Sequence, residues 1–147
     1  MTREPVRMKI LIVCSTIDLK YKMGCTPAWW LLIKAIYEIG HDPIVVPYLG
    51  KPVDSLWWRT YPNPLARESA LFNQLLNLKK RLNGNGISKA SMNGFAGKYV
   101  RNKWERSIRE ILVNEKDVGA VLFMNVPLTH IKGIPQAIHD EFGIPVA

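Results

Sequence analysis

Two cysteines in 147 residues are too few for a disulfide framework, and Cys14 and Cys25 lack the spacing of metal ligands. The three histidines, His41, His130 and His139, likewise lack ligand spacing, so no metal site is expected. No stretch approaches the roughly twenty apolar residues of a membrane span. The apolar run that follows Arg3 and Arg7 covers only Ile10–Cys14, well short of the h-region of a secretory signal. A protein of a reducing cytoplasm is therefore expected. The nucleotide fingerprints are missing too. GxxxxGK[ST] and GxSxG occur nowhere, and the first strand-to-helix loop carries Gly24 where a dinucleotide fingerprint needs three glycines. There is no internal repeat.

Acidic residues are scarce in one place. Between Lys79 and Arg109 nine cations face Glu105 alone, a net charge of +8, while the remainder balances at eleven cations against eleven acids. A neutral body with one basic segment suggests an anionic partner for that segment, although a solvated helical face explains the charges as well.

What is present begins with Met8–Tyr48, which reads as strand, loop, helix, turn, strand. Ile10–Cys14 is an unbroken apolar run, as in a strand buried on both faces. Thr26 and Pro27 suit the cap and first position of a helix. On that helix Trp29, Ile33, Ile36 and Tyr37 recur at helical steps, and Gly40 ends it. Ile44–Val46 are β-branched and flanked by Pro43 and Pro47, which predicts a second buried strand one crossover from the first. The crossover should be right-handed.

Further along, residues 49–64 are rich in proline and aromatics and are expected to form a loop with one helical turn at most. Asn63-Pro64 repeats the cap signal, and Leu65, Leu71, Phe72, Leu75, Leu76, Leu78 and Leu82 give a wide apolar stripe, a helix of about five turns. The glycines between Gly84 and Gly97 predict a mobile loop. Val100, Trp104, Ile108, Ile111 and Leu112 then mark a helix over 98–114. Gly119–Met124 is a third strand, Gly133–Phe142 a short helix, and Ile144–Ala147 opens a fourth strand. The expected class is α/β: one Rossmann-like open parallel sheet over 1–147, helices on both faces, and a helical, basic insertion at about 49–118. A chain stopping inside a core strand is expected to be the N-terminal half of a longer, two-domain protein.

In an open parallel sheet ligands bind beyond the carboxyl ends of the strands, near the reversal of strand order. That rule selects the loops 15–26 and 125–132 and the one after Tyr48. Ser15, Thr16, Gly24, Asn125 and Thr129 are the substrate-binding candidates. Asp18 and His130 are the catalytic ones, because both types can accept a proton from a hydroxyl.

MKILIVCS, then a loop, then TPAWWLLIKAIYEIGHDPIVV resembles the opening of GT-B glycosyltransferases, and VGAVLFMN and FGIPVA resemble later strands of the same half. The resemblance covers most of the chain outside residues 49–118. It implies an acceptor-binding N-terminal domain, with the nucleotide-sugar donor held by a C-terminal domain of the same polypeptide. This chain alone would then hold no cofactor and transfer no sugar. Where the family carries a glycine pair in its first loop, this chain has Met23-Gly24-Cys25, a departure that bears on close backbone contact there. A different class remains open, a stand-alone Rossmann- or flavodoxin-like module for a nucleotide or small ligand. A nucleic-acid binder using Tyr99 and Trp104 has charge in its favour and little else. The glycosyltransferase class also suggests peripheral attachment at the inner membrane face, with Lys79, Lys80, Lys98 and Arg101 on anionic lipid and Trp57 or Trp58 in the interface.

Overall fold

The computed structural model of the chain describes residues 7–16, 28–49, 51–53, 55–68 and 89–147, with side chains at all of these except 16, 49 and 89–96. Its centre is β1 (Lys9–Thr16), hydrogen-bonded in parallel to β2 (Asp42–Leu49) on one side and β4 (Val118–Met124) on the other. A two-residue strand β3 (Arg59–Thr60) extends the sheet beyond β2, giving the order β3-β2-β1-β4, all parallel. Val146 forms a further parallel bridge to Val121, with Val121 N–H donating to the Pro145 carbonyl at 3.0 Å and Ala147 N–H to the Val121 carbonyl at 3.0 Å. The expected strand at Ile144–Ala147 thus pairs where it should. β3 was not expected: it sits in the stretch read as loop, and two residues are too short to carry a periodicity.

α1 (Ala28–Glu38) covers one face of the sheet. Trp29, Ile33 and Ile36 pack there against Ile10, Ile12, Cys14, Val45 and Trp58. Tyr37, assigned to this buried stripe by its spacing, is instead 43% exposed, because it lies outside the strip of Trp29, Ile33 and Ile36 that meets the sheet, about 40° beyond Ile33 around the helix. Gly40 ends the helix as the sequence suggests. At φ +97° it lets Gly40 N–H reach the Tyr37 carbonyl and His41 N–H the Ile36 carbonyl, the paired bonds of a Schellman cap.

The opposite face carries α2 (Lys89–Asn114), α3 (Leu128–Ile131) and α4 (Ile134–Phe142). Trp104, Ile108, Ile111 and Leu112 meet Leu11, Val13, Ile44 and Val46, and Ile131, Ile134 and Ile138 close that layer. Trp104 is fully buried, so it is a core residue and not a base-stacking one. α2 starts nine residues earlier than expected, inside the stretch read as a mobile loop. Its glycines cost about 1 kcal/mol each. Once a helix is nucleated downstream, each further residue adds a hydrogen bond, and that propagation offsets the cost. The helix expected from Leu65 begins at residue 66, and its remainder, 69–82, lies outside the described residues.

The amino ends of all four strands are tied together by one ionic network. Glu115, 7% exposed, accepts from Arg59 Nη1 at 2.9 Å, Tyr61 Oη at 2.8 Å and Lys9 Nζ at 3.5 Å, and Arg59 Nη2 reaches Asp42 at 3.0 Å. Lys9 opens β1, Asp42 β2 and Arg59 β3, while Glu115 lies three residues before β4. Burial pushes the Glu115 carboxyl up, but hydrogen bonds from Tyr61, Arg59 and Lys9, with the charge of Arg59, outweigh it and hold the pKa below the ordinary carboxylate range.

With the folded value below the unfolded one, the unfolded chain binds more protons in this window. The network's stabilisation is therefore intact above the ordinary carboxylate value and lost as the pH falls through the depressed one. Glu115→Gln should lower stability at neutral pH by about 2 kcal/mol in urea unfolding. It should also flatten the acid limb of the stability profile. An unaltered acid limb would show that the network does not hold Glu115 ionised.

Candidate functional site

Strand order reverses between β1 and β4, so the carboxyl ends of these two strands flank the switch point of the sheet. Cys14 pairs with Pro47 and with Met124, and Thr16 with Leu49. Ser15 therefore falls beside Tyr48 on one side and next to Asn125 on the other. Strand alternation puts Ser15 on the α2 face, with Leu11 and Val13, and Tyr48 belongs to the same face. Asn125 follows β4 in the left-handed region, at φ 55°, which Asn tolerates better than most residues.

His130, on α3, returns over this edge. Its Nδ1 is hydrogen-bonded to the Tyr48 hydroxyl, and the two rings lie 5.8 Å apart between centroids. The Tyr48 ring stacks on Trp104 at 5.2 Å with 20° between planes, and it is 6% exposed. Asn63 holds the strand end beneath it, donating from Nδ2 to the Tyr48 carbonyl at 2.7 Å. The other amide atom, Asn63 Oδ1, accepts from Leu65 N–H at 2.7 Å, so the expected cap at Asn63 also anchors the edge. Burial raises the Tyr48 pKa, so the hydroxyl stays protonated at neutral pH.

Of the residues singled out from sequence, the structure brings Ser15, Asn125 and His130 to this edge. Thr16 stands one step further along β1, its backbone paired with Leu49. Thr129 is exposed on α3. Asp18 and Gly24 lie outside the described residues, as do Lys79 and Lys80. Tyr48 and Asn63 were missed as site residues. Tyr48 carries a signal that could have found it, a hydroxyl on the last inward position of a buried strand. Cys14, just below the edge, is no candidate nucleophile, because burial pushes its thiol up to about 12.

The basic segment is less bare than its sequence count. Lys103 pairs with Glu68, Arg106 with Glu110, and Arg109 with both Glu105 and Glu141, while Lys98 is exposed and Arg101 half-buried. Of the tryptophans expected at a membrane interface, Trp58 is 4% exposed and Trp57 is half-buried, both set edge-on to Trp30 at 4.5 and 5.5 Å. An aromatic cluster gains from this edge-on packing. No helix among the described residues is long and apolar enough to cross a membrane, and no three of their His, Cys, Asp or Glu side chains converge as metal ligands.

No family model matches this chain, and neither a curated protein nor a solved structure does.

Asn63→Ala removes both amide bonds from a buried position. It should cost about 2 kcal/mol in chemical denaturation. It should also shift the backbone amide resonances of Tyr48 and its neighbours more than those of the Glu115 network, and equal shifts at both ends of the sheet would refute the local anchoring role.

Proposed function

We propose that this chain is the acceptor-binding half of a GT-B-type glycosyltransferase, whose donor, a nucleotide sugar, is held by a second domain of the same polypeptide. The observation that carries the proposal is the open parallel sheet with its switch point at β1 and β4, where Ser15, Tyr48, Asn125 and His130 gather. Such an edge presents polar groups to a ligand while the apolar strands beneath stay dry. The likeness of residues 8–15 and 26–46 to the opening of that family supports the same reading.

On this proposal the acceptor lies across the carboxyl edge with its hydroxyl toward the partner domain. His130 contacts it, and Asp18 serves as the base that takes the hydroxyl proton as the acceptor oxygen bonds to the anomeric carbon and the sugar's bond to the donor phosphate breaks, the nucleotide leaving with the bonding pair. A group of this kind contributes about 10²–10⁴-fold to rate. The competing class, a self-sufficient nucleotide-binding module, has less support at this edge, because the first loop lacks the glycines that let a backbone approach a pyrophosphate.

The coding frame beyond Ala147 should encode a second Rossmann-like domain, and the joined protein should transfer sugar from a nucleotide-sugar panel in a radiolabel assay. His130→Ala and Asp18→Asn should each lower kcat/KM by about 10²-fold or more. Saturable binding of a free nucleotide by residues 1–147 alone, with no second domain encoded, would favour the module instead.

A further inference from the structure

The Tyr48–His130 hydrogen bond admits two arrangements. Either the Tyr48 hydroxyl donates to Nδ1, or the imidazole Nδ1–H donates to the Tyr48 oxygen. They differ in what is left over. In the second the phenolic proton, on a side chain stacked against Trp104 and almost fully buried, has no acceptor among the described residues. In the first that proton is satisfied, and only spare lone pairs of the phenolic oxygen go unused. An unmet buried donor is costly, whereas an under-used acceptor is tolerated. The phenol also stays protonated, since burial opposes its ionisation.

We infer that Tyr48 donates to Nδ1 and so holds neutral His130 as the Nε2–H tautomer, making this edge a hydrogen-bond donor site for a ligand oxygen. Tyr48 is a positioning residue here, and the stack on Trp104 and the Asn63 bond to its carbonyl fix its ring and backbone. An imidazole with its proton on Nε2 and Nδ1 occupied has no free lone pair, so His130 does not take the acceptor's proton. The ligand atom it recognises carries a lone pair, a phosphoryl or a sugar hydroxyl oxygen. This inference rests on the proposed use of the carboxyl edge as the binding site, and it divides the roles there: His130 orients, and the base is another group.

The protein supplies its own reference. His139 Nδ1 lies 2.9 Å from the Ile144 carbonyl, which can only accept, so neutral His139 carries its proton on Nδ1, the opposite tautomer. Long-range ¹H–¹⁵N correlation spectra of the ¹⁵N-histidine-labelled chain, at a pH where the imidazoles are neutral, read both. The His130 signals are identified by their loss in His130→Gln. We expect His130 as Nε2–H and His139 as Nδ1–H. Tyr48→Phe should return His130 to a mixture of tautomers and leave His139 unchanged. A wild-type His130 with its proton on Nδ1, or a tautomer indifferent to Tyr48→Phe, overturns the inference, and the wild-type spectrum decides even if that variant does not fold.

Titration with inorganic phosphate and, separately, with methyl glucoside then distinguishes the oxygen. A saturable shift of His130 Nε2 with phosphate alone assigns a phosphoryl group, and one with the glycoside alone assigns a hydroxyl. No shift with either overturns the donor site while leaving the tautomer standing. Absence of sugar transfer by the joined two-domain protein, with the Nε2–H tautomer and the shift both observed, would fail the glycosyltransferase proposal and not this one.

Discussion

β1 is the constraint on which the rest of the structure depends. Ile10, Leu11, Ile12, Val13 and Cys14 are all at most 7% exposed, so both faces of this strand need a covering layer. α1 supplies one and α2 with α4 the other. A strand with two parallel neighbours leaves no edge to water, and its backbone groups are met by β2 and β4 together. Each buried side chain of this size contributes about 1.5–3 kcal/mol relative to exposure.

The two ends of the sheet are built on opposite principles. The amino end is charged, with Glu115 drawing Lys9, Arg59 and Tyr61 together and Asp42 extending the network, so that four strand starts are bound at one point. A buried carboxylate is tolerated there because three donors meet it. The carboxyl end carries an amide at Asn63, a phenol at Tyr48 and an imidazole at His130 in its place. Hydrogen-bonding groups at a partly dry edge are suited to orienting a polar ligand, whereas the ionic end is already satisfied internally.

α2 links the two ends. Trp104 lies under the Tyr48 ring, and Glu115 follows the last turn of the same helix, so one element places both the floor of the candidate site and the centre of the ionic network. Its outer face carries Lys103, Arg106 and Arg109, each paired with an acid, and two of those acids, Glu68 and Glu141, come from other elements. These pairs are mostly exposed and contribute little to stability. They do lower the bare charge that the sequence suggests for this face.

Sequence by itself determined the class of the protein. Short unbroken apolar runs at Ile10, Ile44 and Ala120 read as buried strands, and the three- and four-residue steps of Trp29–Ile36 and Trp104–Leu112 as helices laid on them, and the fold has both. Periodicity is local, so it reaches the reader intact. The tertiary structure decided what depends on distance between remote residues. The Tyr48–His130 bond joins positions 82 apart and the Arg59–Glu115 bond positions 56 apart, and neither pairing leaves a local trace. It also decided the direction of Tyr37, Trp57 and Trp58, whose spacing or composition suited either side. The same is true of β3, which is a strand only because β2 offers it an edge. Residue types state which hydrogen bonds a side chain can make, and only the fold states which partner is within reach.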